Sequence, residues 1–329
     1  MKSKVILILL ILILFFSAEL YAQKQTVLLN KEEFDNVPMG QALDGSPWTK
    51  GIDPDIDMYM GTWKDSATKI THGTLIERDI LTKGDKDSLT PPAKGALLKY
   101  INRLTYAMLP TSALTNPTVL SGEQELFYIL SGKGVITTVS VAGKKKTEMK
   151  TDLRKGICIL MPEGLQFTIS NTGEEPLTMY LVCEPVPSGF VPQKNMLIKD
   201  ETTTPIGSSD GLWCMIYKGL YSKDEGFGTL FNVLTVALDP MTIYWPHSHF
   251  PGCEEVWVAM DGTSLAWIGK QIRPQPPGTA YIIPDDRRTT HCNMNTSNET
   301  VKFFYFSTRK HMEAGTSEYE KNLERSKKK

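Results

Sequence analysis

From about residue 96, short runs of hydrophobic residues recur along the chain and are separated by turn-forming residues. The runs are four to nine residues long, rich in β-branched and aromatic residues, and bounded by Gly, Pro, Asn or Lys. The first series comprises LFYIL, GVITTVSV, ICILMP, FTIS and LTMYLVCEP. After a polar linker at 199–210, the second comprises LFNVLTVAL, IYWPHSH, EVWVAM, SLAWIG, AYIIP and VKFFYF. Closely spaced strands of this kind predict an all-β fold of the sandwich or barrel type.

The two series share a set of positions at matching spacings. The matched positions are Glu125 and Gly132 with Glu255 and Gly262, Gly156 and Pro162 with Gly278 and Pro284, and Asn171 with Asn295. The copies lie 122 to 130 residues apart, and this small drift is what changes in loop length produce. The pattern predicts an internal duplication of one β unit.

The repeat also predicts how the chain divides. We expect an N-terminal arm at 23–95, a first β domain at 96–198, a second at 199–312, and a charged tail at 313–329. The arm is rich in Asp, Lys, Gly and Pro with little periodicity, so it is predicted to be irregular, with Trp48 and Trp63 packing it onto the barrels. The tail is predicted to be a short solvated helix.

Residues 1–22 have the pattern of a cleavable secretory signal. Lys2 and Lys4 precede an apolar run of 12 residues, and Ala22 is the most plausible cleavage point. The run is short for a membrane span, so no stable membrane anchor is expected, although an uncleaved anchor is the alternative. We therefore expect an exported protein, periplasmic or extracellular.

Composition and charge narrow the classes of function. Among 329 residues, 41% are hydrophobic and 22% are charged, which excludes wholesale disorder. The 36 basic residues balance 37 acidic residues, which excludes a basic nucleic-acid-binding footprint across the whole molecule. The expected partner is a small molecule, and a homo-oligomer is compatible with the sequence.

Three of the five histidines lie between residues 247 and 291 of the second copy. His247 and His249 are two residues apart, and alternate residues of a strand project from one face, so both imidazoles can converge on one ion. Glu255 adds a carboxylate at the start of the next predicted strand, and the segment from 278 to 295 contributes His291. This donor set predicts one divalent transition metal, namely Mn, Fe, Co, Ni, Cu or Zn.

These residues resemble the two motifs of the cupin superfamily, G-x5-H-x-H-x3,4-E-x6-G and G-x5-P-x-G-x2-H-x3-N. The first motif reads here as His247-x-His249-x5-Glu255-x6-Gly262, one residue longer before the glutamate. The second reads as Gly278-x5-Pro284-x6-His291-x3-Asn295, with Asp286 at the usual glycine and two extra residues before the histidine. The resemblance covers about residues 96–310. It implies a bicupin, that is, two tandem jelly-roll barrels of the double-stranded β-helix type, with the metal inside the second.

Glu254 competes with Glu255 for the ligand position. The repeat favours Glu255, because Glu125 and Glu255 each lie seven residues before a glycine. Alternation also places Glu255 and Trp257 on one inward face and Glu254 outward. Glu255 is therefore the predicted ligand.

The first copy departs from the motif. TNPTVLSGEQE contains no histidine, and Phe167 stands where the second copy has His291. A lone carboxylate binds a transition metal poorly, so the first barrel is expected to be metal-free. Its role could be structural, or it could hold a small ligand. His72 and His311 lie outside the motifs and are expected to have no special role.

Further residues near the site strands are candidates for a substrate pocket, with ordinary core or rim as the alternative for each: Tyr244, Trp257, Tyr281, Arg287, Arg288 and Asn293. One of the arginines could clamp a carboxylate or another anion. The Pro-rich segment 272–278 is expected to form a loop at the mouth. The sequence identifies no catalytic residue.

Five cysteines leave disulfide pairing open, since export would permit bridges: Cys158, Cys183, Cys214, Cys253 and Cys292. Buried thiols are favoured over a bridge, although Cys253 and Cys292 both lie beside metal motifs.

The resemblance implies a metalloprotein that acts on a small oxygen-rich molecule, and the signal pattern of residues 1–22 adds export. Dioxygenase, decarboxylase and sugar or sugar-acid isomerase chemistry are all compatible with one metal that keeps open coordination positions. The alternative is a non-catalytic metal-containing protein that binds a carbohydrate or another small ligand.

Overall fold

The computed structural model describes residues 54–142, 145–207 and 215–310. The expectations for the secretory signal, Trp48, Cys214, His311 and the C-terminal tail fall outside the described residues.

The regular secondary structure of the described residues is almost entirely β, as the short hydrophobic runs predict. The strands of the first half are β1 (Met60–Thr62), β2 (Thr68–Thr71), β3 (Leu75–Lys83), β4 (Ala96–Leu98), β5 (Arg103–Leu109), β6 (Thr118–Val119), β7 (Glu123–Ser131), β8 (Gly134–Ala142), β9 (Lys145–Leu153), β10 (Ile157–Met161), β11 (Gln166–Asn171) and β12 (Leu177–Pro185). The strands of the second half are β13 (Leu197–Asp200), β14 (Ile206–Gly207), β15 (Met215–Ser222), β16 (Leu230–Leu238), β17 (Thr242–Ile243), β18 (Cys253–Asp261), β19 (Ser264–Ile268), β20 (Gln271–Gln275), β21 (Thr279–Ile282), β22 (His291–Asn295) and β23 (Val301–Arg309). A short 3₁₀ turn spans Trp63–Asp65. In the part of the chain that the structure describes, no helix is long and apolar enough to cross a membrane.

Each half consists of one large and one small antiparallel sheet. In the first barrel the large sheet has the order β13-β10-β7-β12-β5-β3-β2, and β4 pairs with β3 in parallel. Its small sheet has the order β6-β11-β8-β9. In the second barrel the corresponding orders are β1-β21-β18-β23-β16-β15-β14 and β17-β22-β19-β20. The two halves match strand for strand, which confirms the predicted pair of tandem jelly-roll barrels.

The described part of the arm, residues 54–95, contains three strands, although the sequence predicts an irregular segment. β2 and β3 belong to the large sheet of the first barrel, and β3 pairs with β5 from Ile76 opposite Met108 to Thr82 opposite Arg103. The predicted boundary at residue 96 is therefore too late. β3 escapes detection because LIERDILTK carries three charged residues in its middle, and one of them, Glu77, is fully buried.

The barrels exchange their edge strands. β1 leads along the chain into the first barrel but pairs with β21 of the second, with Met60 opposite Tyr281. β13 leads into the second barrel but pairs with β10 of the first, with Leu197 opposite Leu160. Each barrel is thus completed by the segment that introduces the other.

The large sheets of the two barrels also pack against each other. Residues of β7 alternate in direction, so Phe127 contacts Phe167 inside the first barrel with ring centroids 6.0 Å apart, whereas Tyr128 faces outward. The Tyr128 ring stacks on Phe304 of β23 at 5.1 Å, and Tyr180 lies 5.8 Å from the same ring. Burying each of these aromatic side chains stabilises the fold by roughly 1.5–3 kcal/mol.

Backbone geometry explains why glycine occupies the equivalent positions 132 and 262 of the repeat. Gly132 and Gly262 end equivalent hairpin strands with φ of 88° and 77°, a left-handed conformation that favours glycine. A Cβ at Gly132 would lie 2.6 Å from the carbonyl oxygen of Pro176, and one at Gly262 would lie 2.8 Å from a methyl of Val301.

Asn171 and Asn295, at equivalent positions of the repeat, make equivalent hydrogen bonds. The Asn171 amide donates to the carbonyl oxygens of Leu109 and Glu175 at 3.0 and 2.8 Å, and its oxygen accepts from the Gly173 N–H. The Asn295 amide donates to the carbonyls of Leu238, Asp239 and Glu299, and its oxygen accepts from the Ser297 N–H. Each side chain therefore ties the end of a small-sheet strand to the neighbouring connections.

Candidate metal centre

Four side chains converge inside the second barrel. One donor atom from each of His247, His249, Glu255 and His291 lies within 4.8 Å of the corresponding atoms of the others. Glu255 lies on β18 and His291 begins β22, on facing sheets. His247 and His249 lie on an extended segment after β17 rather than on a regular strand, and His247 forms an isolated bridge with His291.

Backbone carbonyls hold two of the imidazoles. Nδ1 of His247 lies 2.9 Å from the carbonyl oxygen of Trp245, and Nδ1 of His291 lies 3.0 Å from that of His247. A carbonyl oxygen can only accept a hydrogen bond, so both Nδ1 atoms must carry the proton. The neutral rings therefore present the Nε2 lone pair to the cluster, which is the usual arrangement of metal-binding histidines.

The third imidazole has a different partner. Nδ1 of His249 lies 3.1 Å from the sulfur of Cys253. Its Nε2 lies 3.3 Å from Oε2 of Glu255, yet this buried nitrogen makes no hydrogen bond with the described residues. An orphaned nitrogen aimed at a carboxylate is what an ion between the two groups would satisfy.

Two buried donors fix the Glu255 carboxylate. The indole N–H of Trp257 donates to Oε1 at 2.7 Å, and the hydroxyl of Tyr305 donates to Oε2 at 2.8 Å. Nε2 of His291 lies 3.1 Å from Oε1. The carboxylate is therefore oriented before any ligand arrives. Tyr305 was missed by the sequence analysis, although it alternates with other inward residues of β23.

The charges of the cluster depend on one another. Burial alone would raise the pKa of Glu255, but His249 and His291 hold it well below its ordinary value. Burial would lower the pKa of His249, yet the Glu255 carboxylate raises it to about 10. Burial, together with the nearby His291, lowers the pKa of His247 to about 4. A cation that entered the cluster would replace a proton.

The donor set fits a divalent transition metal. Three imidazole nitrogens and one carboxylate form a borderline-hard set, which suits Mn, Fe, Co, Ni, Cu or Zn. Each imidazole has an Nδ1 partner, and the carboxylate has two donors, so the surroundings that orient metal ligands are in place.

Glu254 faces away from the cluster. Its Oε2 accepts from the backbone N–H groups of Lys99 and Tyr100 at 2.5 and 3.2 Å, and the Lys99 ammonium pairs with Asp285 at 2.5 Å. Burial raises the pKa of Glu254 to about 7. This glutamate fastens the segment before β5 to the second barrel.

A cavity of about 490 Å³ opens onto the cluster. Its described lining consists of Met215, Tyr217, Asn232, Leu234, Val236, Tyr244, His247, Ser248, His249, Phe250, Cys253, Glu255, Trp257, Tyr305 and Arg309. Most of the wall is aromatic or aliphatic, with a few polar groups near the four clustered residues. A pocket of this size suits a small molecule.

Among the described residues, two of the six predicted pocket residues line the cavity and four do not. Tyr244 and Trp257 line the cavity, whereas the other four lie outside its described lining. Tyr281 is buried behind the cluster, with its ring 6.0 Å from that of His291, and Asn293 is fully buried on β22. The Arg287 guanidinium lies 5.0 Å from the Phe250 ring centroid. Arg288 belongs to a turn in which its N–H donates to Asp286.

The basic group at the cavity is Arg309 instead. Among the described lining residues it is the one permanent cation, and its Nε is buried without a hydrogen-bond partner. Its guanidinium lies 4.8 Å from the Phe231 ring centroid, and its backbone pairs with Cys253 of β18. The signal was available: in VKFFYFSTR, residue 309 shares the parity of Tyr305.

The Pro-rich segment 272–278 does not form the mouth. Gln271–Gln275 is strand β20, and Pro277 and Gly278 border a separate cavity of about 320 Å³. Trp63 and Tyr106 line that cavity with their rings stacked 4.7 Å apart. The end of the segment therefore adjoins the first barrel, since Tyr106 and Tyr128 line the same cavity.

In the first barrel, the carboxylates at the position of the cluster are paired with an arginine, which acts as a built-in cation. Arg103 of β5 lies 3.2 Å from Glu123 and from Glu125, and 3.7 Å from Glu77. Glu125 occupies the position of Glu255, and Phe167 occupies that of His291. Glu123, Glu125 and Cys183 could in principle hold an ion, but the guanidinium already neutralises the carboxylates. A metal-free first barrel stays a prediction, and this contact supports it.

The structure contradicts the expectation that His72 has no special role, because this residue contacts Glu125 in the first barrel. The turn between β2 and β3 carries it into the first barrel, where Nε2 lies 3.3 Å from Oε2 of Glu125. Its ring centroid is 5.5 Å from that of Phe167, and Nδ1 lies 3.1 Å from the Thr118 hydroxyl. Burial would lower the pKa of His72, but Glu125 raises it overall. The arm thus supplies the imidazole that the first motif lacks.

The four cysteines in the described residues, Cys158, Cys183, Cys253 and Cys292, are buried free thiols. This confirms the preferred interpretation for those four.

Comparison with known proteins supports the architecture. Residues 101–200 match the model of the Cupin family, and no curated protein matches the sequence. The fold is similar to that of Lactobacillus farciminis oxalate decarboxylase in its formate complex, with 12% identity over 76% of this chain and 86% of that chain and a TM-score of 0.56. Bacillus subtilis oxalate decarboxylase gives 12% identity, 80% coverage of each chain and a TM-score of 0.57. Momordica charantia 7S globulin gives 11% identity, 76% and 84% coverage, and a TM-score of 0.55.

Proposed function

We propose that this chain, which has the bicupin fold, is a metal-dependent enzyme acting on a small oxygen-rich molecule in its second barrel. The observation that carries the proposal is the convergence of three oriented imidazoles and Glu255 at the floor of a cavity of about 490 Å³. Similar folds bear the names of a decarboxylase and of a globulin, so the fold alone does not assign a reaction.

In this proposal the residues at the cavity have separate roles in binding the ion, orienting its carboxylate ligand and excluding water. His247, His249, Glu255 and His291 would hold one divalent ion, with Trp257 and Tyr305 orienting the carboxylate. When bound, the ion supplies Lewis acidity, an activated water or a redox centre. Tyr244 and Trp257 shape an aromatic wall that excludes water from one side of the substrate.

Arg309 gives the cavity a preference among oxygen-rich molecules. Its guanidinium is permanently charged, and planar carboxylates pair well with it. We therefore place carboxylate-bearing substrates, for decarboxylase, dioxygenase or sugar-acid isomerase chemistry, ahead of neutral sugars. In this proposal Arg309, rather than Arg287 or Arg288, pairs with the anionic group of the substrate.

The first experiment is elemental analysis of the purified protein, followed by a screen of oxalate, uronic acids and diols. The screen would record dioxygen consumption, carbon dioxide release and isomerised product. We expect one transition-metal ion per chain and turnover of a carboxylate substrate, both absent from His291→Ala. Arg309→Leu should retain the metal and raise KM for the anionic substrate.

A non-catalytic binding protein is the second candidate, because the cavity has aromatic walls that also suit carbohydrate. Tight ligand binding without turnover would favour this candidate over the enzyme. Absence of bound metal after loading with each of the six ions would refute both.

We also propose that residues 1–22 direct export to the periplasm or the extracellular space. Support comes from the charged start, the apolar run and Ala22. Mass analysis of the mature protein from its native host tests this, since retention of Met1 would contradict cleavage.

A further inference from the structure

We propose that Cys253 is a positioning residue that controls how His249 presents its nitrogen to the ion. In this proposal the Cys253 sulfur accepts a hydrogen bond from Nδ1–H of His249, and the Nε2 lone pair is thereby directed into the cluster. The inference rests on the proposed metal centre but concerns a residue outside the ligand set.

The geometry identifies the two atoms involved. Sγ of Cys253 lies 3.1 Å from Nδ1 of His249, within the range for a hydrogen bond to sulfur. On the opposite edge of the ring, Nε2 lies 3.3 Å from Oε2 of Glu255 without forming a hydrogen bond. The ring is therefore held at one edge by sulfur and is open at the other.

A neutral imidazole has one N–H and one lone pair, so the sulfur contact decides which edge can bind an ion. If the thiol donated its proton to Nδ1, the ring proton would sit on Nε2 and block coordination. If the sulfur accepts, the ring proton sits on Nδ1 and Nε2 is available. Only the second arrangement permits His249 to act as a ligand.

This choice exists at one of the three imidazoles. His247 and His291 face carbonyl oxygens, which can only accept, so the main chain fixes the position of their protons. Sulfur is both a weak donor and a weak acceptor. The proton position on His249 consequently depends on a side chain, and a substitution there can change it without touching a ligand.

The backbone holds this sulfur in place. Cys253 begins β18, two residues before Glu255 and on the same face, and it is 4% exposed. A turn precedes it, in which its own N–H donates to the Phe250 carbonyl at 3.0 Å, and the Gly252 N–H donates to Asp285 at 2.8 Å. A fixed sulfur can orient a ring, whereas a mobile one could not.

Metal affinity in matched variants tests the role. Cys253→Ala removes the acceptor, whereas Cys253→Ser keeps an oxygen that can accept from Nδ1–H. Cys292→Ala is the control, because that thiol is equally buried and adjoins His291 in the chain but has no contact with a ligand imidazole among the described hydrogen bonds. Titration calorimetry with Mn²⁺ and Zn²⁺ would give Kd for each protein.

We expect Cys253→Ala to weaken binding about 10- to 100-fold, the range for loss of a group that orients a ligand. Cys253→Ser should recover most of the affinity, and Cys292→Ala should lower Tm while leaving Kd unchanged. Wild-type Kd in Cys253→Ala, or equal weakening in the Ser and Ala variants, would overturn the proposal.

A second measurement separates this proposal from the proposed function. Proton NMR of the ion-free protein, with ¹⁵N-labelled histidine, should show an Nδ1–H on His249 that exchanges slowly with water because the Cys253 sulfur accepts a hydrogen bond from it. The signal should persist in Cys253→Ser and disappear in Cys253→Ala. Its absence from the wild type would overturn the positioning role. Its presence in a protein that binds no metal would refute the metal centre and leave the sulfur contact standing.

Discussion

Nδ1 of His291 lies 3.0 Å from the backbone carbonyl oxygen of His247, so one proposed ligand is oriented by the main chain of another. The backbones of the two residues also exchange hydrogen bonds, with N to O distances of 3.2 and 2.9 Å. This bridge joins the extended segment after β17 to β22. Replacing the two histidines should therefore have unequal effects. The backbone carbonyl of His247, which orients the His291 ring, stays in place when the His247 side chain is removed.

His247→Ala should therefore bind metal at least about tenfold more weakly but with His291 still oriented, whereas His291→Ala should lose metal retention. Elemental analysis after dialysis and titration calorimetry measure the two effects. Full stoichiometry in His291→Ala would contradict the site.

Tyr305→Phe removes the hydroxyl that donates to Oε2 of Glu255 and leaves the ring in place. We expect metal affinity to fall about 10- to 100-fold with little change in fold. Tyr128→Phe is the matched control, since that hydroxyl donates to Glu201 away from the cluster. Equal metal affinity in the two variants would show that Tyr305 does not orient the ligand.

Arg103→Met should destabilise the protein by roughly 3 kcal/mol, because it leaves Glu123 and Glu125 without their internal cation. Lys94→Met, which breaks an exposed pair with Asp65, should cost less than about 1 kcal/mol. Urea unfolding compares them. A higher metal content in wild type than one ion per chain would contradict the built-in cation.

Asn171→Ala and Asn295→Ala should each destabilise the protein by roughly 2–3 kcal/mol, since each leaves carbonyl groups near a barrel end without a donor. The exposed Asn298→Ala is the control. Similar losses at 171 and 295 are expected from their equivalent contacts. A neutral effect at either position would show that water replaces the amide there.

The lowered pKa of Glu201 leads us to expect that the stability of the protein depends on pH. Burial would raise its pKa, but the Lys302 ammonium at 2.5 Å, with the Tyr128 and Thr235 hydroxyls, lowers it below the ordinary value of 4.5. A carboxyl with a depressed folded-state pKa contributes stability above its unfolded-state pKa and loses it as pH falls through the folded value.

The free energy of unfolding of wild type should accordingly exceed that of Glu201→Gln near neutral pH. The difference should shrink as the pH falls below 4.5. Urea unfolding at several pH values measures it. A difference that is independent of pH would assign the effect of the variant to lost packing.

The sequence predicts those parts of the molecule that local patterns encode. The short hydrophobic runs between turn residues predict strands such as β7, β10, β18 and β23, and spacing predicts the four clustered residues. β3 was missed because Glu77, Arg78 and Asp79 hide a buried strand. The pairing of β1 with β21 was unpredictable from local pattern, since three residues carry too little periodicity to name a partner more than 200 residues away. Arg309 was missed because the predicted run VKFFYF ends at Phe306, three residues before the strand ends.

The exchange of β1 and β13 means that the duplication cannot be undone by cutting the chain. A fragment that ends between the two barrels would carry β1 with nothing to pair with and would lack β13, so β10 would present a bare edge to solvent. The two fragments would have to associate before either barrel closed, which is the behaviour of a complementation pair. Each barrel therefore reaches its closed form only when both halves of the chain are present.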